Sequence, residues 1–344
     1  MSSSRRLASL ALLIASLVLA LAVSPRDLIA AQEAAASGET RTLTIATLAP
    51  PGSAIVRGLE AWNRELRRRT DGSLQFRFYT GGVQGDDPEV VRKIRSGRLD
   101  GGTLTSTGLA AIYRPALIFQ MPGTFLHYEQ LDAARAALQP EIDAGIIAAG
   151  FRMLGWADVG QARLFSQRRI ASPSELSGTH LWVRDDDVIV PAFVSQVHAS
   201  PVELGVPEML GALQTHRVDT FLSPPAIAIA LQWSAHAQFM NEIPMSIVIG
   251  GMVISERTYQ SLTPEQQAAL RETGDQFHAL GRRNSRRAEQ ESITAITQRG
   301  IQLVTTTEAE RNEWRRIGAA VRAAVASQIA DPALIARAAA FGEQ

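Results

Sequence analysis

IRSGRLDGGTLTS, residues 94–106, and LQTHRVDTFLSP, residues 213–224, are the two stretches on which the reading of the fold turns. Each runs from a helix end through a turn into an arginine, an aliphatic residue, an aspartate and a short strand that ends in hydroxyls. Arg98-Leu99-Asp100 thus corresponds to Arg217-Val218-Asp219. Read as a repeat, the correspondence predicts two lobes of related architecture, each sending the carboxyl end of a strand to one crevice. A chance match between two ordinary helix-to-strand turns is the competing reading. Ligands bind outside the carboxyl ends of strands in open α/β sheets, which makes Thr105, Ser106, Phe221 and Ser223 candidate cleft residues.

Outward from the first stretch, strand and helix patterns alternate. TLTIATL (42–48) reads as a strand running into Pro50-Pro51-Gly52 and then Ser53, a helix N-cap. Ile55, Val56, Leu59, Trp62 and Leu66 follow at helical spacing, with charged residues between them. SLQFRFY (73–79) alternates Leu74, Phe76 and Phe78 with polar neighbours, the pattern of a half-buried strand. DPEVVRKIRSG (87–97) is a short helix closed by Gly97. This order predicts α/β lobes with mainly parallel sheets. Beyond the second stretch, residues 262–300 form a single long helix with Thr263 as N-cap and Pro264 at its first position, expected to lie across both lobes. Its Arg282, Arg283, Arg286 and Arg287 are interleaved with Glu289 and Glu291, which reads as a solvated face rather than a nucleic-acid site.

Composition narrows the function. With 34 basic and 34 acidic residues and no cysteine in 344, neither a global attraction to nucleic acid nor disulfides operate. MSSSRRLASLALLIASLVLALAV pairs two arginines with an apolar run from Leu7 to Val23 that contains the small-x-small tripeptide Ala20-Leu21-Ala22. It reads as a secretory signal peptide over residues 1–22, followed by a disordered tail over 23–40; an uncleaved anchor is the alternative, because the run approaches the ~18 residues of a membrane span. No later segment is apolar enough to cross a membrane. The remaining length suggests two lobes, taken as 41–165 plus 251–285 and 166–250 plus 286–330, in a periplasmic or secreted protein.

Signatures of catalysis are missing. The six histidines are scattered without metal-ligand spacing, and neither Gly-x-Ser-x-Gly nor a phosphate-cradling loop with a lysine occurs, so no metal and no cofactor is expected. Asp185-Asp186-Asp187 lacks the interspersed ligands of a calcium loop and reads as a surface turn capping a helix that begins near Val188. Tryptophan placement stands out instead. Trp156, Trp182 and Trp233 each fall at the expected end of a strand or helix, although a core position is the ordinary reading of any one of them.

Taken in order, LTIATLAPPGS (43–53), YTGGVQGDDPEVVRKIRSGRLDGGTLTSTGLA (79–110), MPGTF (121–125), RIASPSELSGTHLWV (169–183), ASPVELGVPEMLGALQTHRVDTFLSPP (199–225) and YQSLTPEQQAAL (259–270) resemble a DctP-type solute-binding protein of a tripartite ATP-independent periplasmic (TRAP) transporter. The resemblance covers nearly the whole chain past the signal segment. It implies a two-lobed periplasmic-binding-protein clamp with a long helix spanning both lobes. Such a protein is not an enzyme; it closes on a small-molecule ligand and delivers it to integral membrane TRAP permease subunits.

The resemblance also marks a departure. Typical members carry, on the strand after the Gly matched here by Gly178, an arginine that grips a substrate carboxylate; Trp182 stands at that position and His180 where a lysine is common. Ala162 stands where a second anion-contacting arginine often lies, with Arg163 beside it. Arg184, two residues past Trp182, either stands in as the anion anchor or pairs with Asp185 to Asp187 at the surface. The expected ligand site comprises Trp156, Trp182, Arg184, Phe221, Ser223, Trp233, Thr105 and Ser106, serving an organic acid by family or a less polar, aromatic ligand because Trp replaces Arg. A secreted hydrolase with Ser223 as nucleophile and a ligand-presenting signalling protein are the competing functions. A monomer is expected, since a clamp must open and shut freely.

Overall fold

The computed structural model describes residues 40–184 and 187–342; the signal-peptide reading and most of the tail reading fall outside them, as do Asp185 and Asp186. The first half-unit builds as its periodicity dictates. Strand β1 (Arg41–Thr47) leads to α1 (Ala54–Arg69), whose N-cap Ser53 accepts from the Val56 N–H and whose buried stripe is Val56, Leu59, Trp62 and Leu66. Strand β2 (Leu74–Tyr79), α2 (Asp87–Arg95), β3 (Gly101–Thr105) and α3 (Ser106–Ile112) follow. Strands β2 and β3 flank β1, both in parallel.

Helix α4 (Tyr128–Ala148) returns the chain to β4 (Phe151–Ser166), a 16-residue strand long enough to serve two sheets. The second half-unit then repeats the parallel pattern: β5 (His180–Val183), α5 (Ile189–Val197), β6 (Ser200–Glu203), α6 (Val206–Gln214), β7 (Thr220–Ser223) and α7 (Pro225–Ala230), with β5 between β6 and β7. Strand β8 (Phe239–Asn241) pairs with β4, and β9 (Ser246–Ser255) runs antiparallel to both β3 and β4. The resulting order β2-β1-β3-β9-β4-β7-β5-β6 is mixed. The expectation of mainly parallel sheets therefore holds within each half-unit and fails at the join, where a two-stranded antiparallel ribbon of β4 and β9 ties the lobes together.

Short α8 (Glu256–Gln260) precedes α9 (Pro264–Gln298), which starts at the expected cap: the Thr263 hydroxyl accepts from the Gln266 N–H. Helix α9 packs on β4, on α1 of the first lobe and on α7 of the second. Two glycines allow this approach, since a Cβ on Gly155 would meet the His278 ring at 2.2 Å and one on Gly274 would meet the Leu154 carbonyl at 2.8 Å. The charged face of α9 corrects the expectation of a purely solvated surface. Arg286 donates to the buried Asp158 at 2.8 Å and to Asp132, while Arg282 donates to the Trp156 carbonyl. A charge lifted from water is stable only with such partners. Strand β10 (Gln302–Val304) pairs with β8, and α10 (Glu308–Ile329) and α11 (Pro332–Ala339) complete the chain. No helix among the described residues is long and apolar enough to cross a membrane.

Candidate ligand cavity between the lobes

A cavity of about 1300 Å³ runs between the lobes. The carboxyl ends of β3 and β7 open onto it, as the strand-end rule requires. Its walls are mostly apolar, with Leu48, Ile189, Phe193, Leu222, Ile227 and Met245 among them. That surface suits a ligand able to displace water from hydrocarbon rather than one that keeps its own hydration.

Six of the eight expected site residues line this cavity: Thr105, Ser106, Trp182, Arg184, Ser223 and Trp233. Trp182 and Trp233 meet edge to face with centroids 5.0 Å apart. The Trp182 indole N–H is already spent on the Leu204 carbonyl at 2.9 Å, so the ring offers carbon rather than a hydrogen bond. The Ser223 hydroxyl donates to the Pro224 carbonyl at 3.1 Å, not to a base, which deprives it of the activation a nucleophile needs.

Trp156 and Phe221 are corrections: both belong to the core rather than to the cavity surface. Trp156 is 1 % exposed, donates its indole N–H to Asp143 and packs edge-on against Phe119. Phe221 is fully buried, stacked on Phe165 and covered by the edge of Trp233. Side chains alternate faces along a strand, and Trp156, within β4 rather than at its end, and Phe221, second in β7, each turn into a core cluster.

Arg184 is held by partners other than a ligand anion, and its expected pairing with Asp185 and Asp186 falls outside the described residues. Its Nη1 donates to Thr105 Oγ1 at 2.6 Å, and its Nη2 reaches Asp86 at 2.6 Å and Asp87 at 3.1 Å. Those partners sit at α2 and β3 of the first lobe, whereas Arg184 follows β5 of the second. Burial works against its charge, but Asp87 and Asp86 more than offset that, so its pKa lies above the ordinary arginine value. Asp86 holds the second lobe a second time by accepting from the Val206 N–H at 2.7 Å. The arginine is a clasp between lobes: its two Nη groups are engaged by Thr105, Asp86 and Asp87, while its buried Nε has no hydrogen-bond partner among the described residues.

The remaining charges of the lining are distributed unevenly. Ala162 lines the cavity while Arg163 does not, and burial lowers the pKa of Arg163. On α10, Arg311 pairs with Glu308 at 3.0 Å and Arg315 with the same carboxylate at 2.9 Å. Arg322 donates to the Pro122 carbonyl at 2.6 Å and is, among the described residues, the lining arginine with no carboxylate within ion-pair distance. Asp187 Oδ1 accepts from the N–H groups of Ile189 and Val190, at 2.7 and 3.1 Å, and so supports the first turn of α5, but it does so from the cavity wall rather than from a surface turn. Burial pushes its carboxyl above the usual range, against the pull of those two N–H groups.

Sequence reasoning missed His278, Trp314 and Arg322, all on the cavity wall. The His278 Nδ1 donates to the Gly274 carbonyl at 2.8 Å, and burial lowers its pKa to about 4, so the ring is neutral near pH 7. Trp314 stacks on Phe193 at 6.3 Å and donates to the Ala171 carbonyl. The helix of His278 reads as a charged, solvated element and that of Trp314 and Arg322 carries no motif, so nothing local marks which turn reaches the crevice. Among the described residues no group of acidic or histidine side chains could hold a metal.

Comparison with known proteins places this geometry. A solute-binding protein of Sulfitobacter sp. (strain NAS-14.1) is 22 % identical over 309 residues, 85 % of this chain and 93 % of that one. The 2,3-diketo-L-gulonate-binding periplasmic protein YiaO of Escherichia coli (strain K12) is 20 % identical over 252 residues, covering 71 % and 75 % of the two chains. Among solved structures, a TRAP solute-binding protein of Ralstonia eutropha H16 with bound (S)-2-acetolactate superposes with a TM-score of 0.82 at 20 % identity, covering 88 % of this chain and 98 % of that one. One of Xanthobacter autotrophicus Py2 with bound β-D-galacturonate gives 0.80 at 19 % identity, covering 88 % and 99 %. These likenesses establish the two-lobed clamp fold. The profile of the bacterial extracellular solute-binding proteins of family 7 matches residues 45–328, and the chain belongs to this DctP family of TRAP solute receptors.

Proposed function

We propose that this receptor captures a small organic ligand with an apolar, aromatic-sized body in the periplasm and hands it to TRAP permease subunits, acting as a monomer. Members of the family are receptors rather than enzymes, and three of the relatives named above bind sugar-derived or other organic acids. The observation that separates this chain from a simple acid receptor is the engagement of both Arg184 Nη groups by Asp86, Asp87 and Thr105 beside a Trp182–Trp233 wall. A carboxylate seated there would have to displace a carboxylate already in place, and a desolvated anion without a partner loses several kcal/mol, of order the cost of a buried unpaired ion. The apolar wall instead rewards burial at about 25 cal/mol per Å² of ligand surface.

Native mass spectrometry of the exported protein, followed by solvent extraction and identification of what copurifies, tests the proposal. A neutral or weakly polar ring-bearing molecule is expected. Recovery of a small hydrophilic acid would overturn the reading and move attention to Arg322, where substitution by Ala should then abolish binding.

A further inference from the structure

We propose that Asp187 sets the polarity of the ligand, so that the cavity selects an apolar body bearing an O–H or N–H donor and discriminates against a carboxylate. The inference rests on the apolar-ligand reading above and adds to it the head group. Asp187 lies on the cavity surface, close to the entry of α5, and also bounds a small side pocket with Ser106, Thr107 and Gln120. One of its carboxylate oxygens, Oδ1, is occupied by the backbone N–H groups of Ile189 and Val190. The other oxygen is an acceptor with no hydrogen-bond donor or ion-pair partner among the described residues. Arg184, the nearest cation in sequence, has its Nη groups turned across the cleft to Asp86, Asp87 and Thr105, and acts on Asp187 through its charge rather than through a hydrogen bond.

A carboxylate gives up water to stand at an apolar wall, and its remaining lone pairs are then satisfied only by a donor that the ligand brings. An alcohol or an amine supplies that donor, the amine adding charge complementarity and access to the faces of nearby aromatic rings. Burial raises the pKa of Asp187 against the pull of the capping N–H groups and of Arg184; in its ionised form the carboxylate repels an acid head group, more strongly in a medium of low dielectric than in water. Among the described residues, Arg322 is the lining cation left free of carboxylates, and it belongs to α10 rather than to the Asp187 corner.

The test uses four ligands that share one ring system: 1-ethylnaphthalene, 2-(1-naphthyl)ethanol, 2-(1-naphthyl)ethylamine and 1-naphthylacetate. Each is titrated at pH 7.5 into the mature wild-type protein, freed of retained ligand, and into Asp187→Asn. Asparagine keeps an oxygen for the two N–H groups of α5 while removing the charge. The ethanol and ethylamine compounds should bind at least tenfold more tightly than the acetate to the wild type. Asp187→Asn should shrink the amine-to-acid ratio at least fivefold and leave ethylnaphthalene binding unchanged. An acetate that binds as well as the amine, or a ranking that Asp187→Asn does not alter, overturns the role of Asp187 while ethylnaphthalene binding upholds the apolar cavity. Failure of all four to bind overturns the apolar reading, and this inference with it. The wild-type ranking decides the matter even if the variant does not fold.

Discussion

Residues 94–106 and 213–224 share a frame and differ in what they present at its end. In each, the turn after a helix is closed by two successive N–H groups on one carbonyl: Arg98 and Leu99 on Lys93, Arg217 and Val218 on Ala212. Each aspartate then bonds a backbone N–H of the neighbouring parallel strand, Asp100 to Thr44 at 2.8 Å and Asp219 to His180 at 3.0 Å. Past that point the units diverge. The first strand exits through Thr105, Ser106 and Thr107, with Asp87 accepting from the Thr105 N–H. The second exits through Ser223, Pro224 and Pro225, beside Trp233. A helix-to-strand turn has one economical hydrogen-bond solution, so it recurs; the strand exit is free of that constraint, so one wall became polar and clasped while the other became apolar.

Breaking the clasp should have the largest effect. Arg184→Ala leaves Asp87, 1 % exposed, without its counter-charge, and removing one partner of a buried pair costs about 3–5 kcal/mol. The melting temperature should fall, and small-angle scattering of the ligand-free protein should show a larger radius of gyration. A variant with unchanged melting and unchanged radius would mean that the polar exit does not hold the lobes together. Next comes His278, on the helix that ties both units to the ribbon. Its folded pKa of about 4 lies below the unfolded value near 6.5, so the unfolded chain takes up this proton first as pH falls. Stability should therefore be flat above pH 6.5 and decline by roughly 3 kcal/mol down to pH 4. Chemical denaturation of His278→Gln should lack that segment of the acid slope; an identical slope would show that other groups cause it.

The shared frame itself is tested by paired substitutions. Asp100 accepts from the Thr44 N–H and hydroxyl and from the Thr258 hydroxyl, and Asp219 meets the His180 N–H, the more exposed His180 ring and the Thr220 hydroxyl. Hydrogen bonds to a charged acceptor contribute about 1.5–3 kcal/mol, less where the group is exposed. Asp100→Ala should cost about 2 kcal/mol and Asp219→Ala about 1, both by loss of stability without loss of ligand affinity. Equal costs would indicate that the greater exposure of the Asp219 partners makes no difference, and a cost at one site alone would break the equivalence of the two turns.

Much of the frame is legible in the sequence because its chemistry is local. The Ser53 and Thr263 caps, the helical stripe of α1 and the alternation of β2 depend on neighbours within one turn or one strand, and they sit where the periodicity put them. Asp187 capping α5 is of the same kind. The clasp is not, because Arg184 and Asp86 are 98 residues apart and nothing near Arg184 distinguishes them from the adjacent aspartates. Nor is the burial of Trp156. Strand β4 changes register against β9 between Met153 and Gly155 and again between Asp158 and Gly160, and each irregularity resets which face a residue takes. The mixed sheet had the same origin: an antiparallel ribbon joining two parallel units depends on pairing between β4 and β9, which no short window contains.

Phe221 and Trp182 turn that last point into the smallest and most selective test. Both are aromatic and both belong to the cluster around Trp233, but Phe221 is fully buried while Trp182 reaches the cavity with 8 % of its surface still exposed. Phe221→Leu keeps a hydrophobic group of similar volume in a close-packed site and should cost about 1 kcal/mol of stability, leaving affinity for the copurifying ligand as in the wild type. Trp182→Leu should weaken that ligand at least tenfold, because it removes flat contact area from the cavity wall itself. Thermal melts and titrations on the two variants separate core from wall. Equal losses of affinity would mean that the wall acts as one packed unit with the core beneath it, and that the apolar exit of the second half-unit owes its shape to Phe221 as much as to the residue the ligand touches.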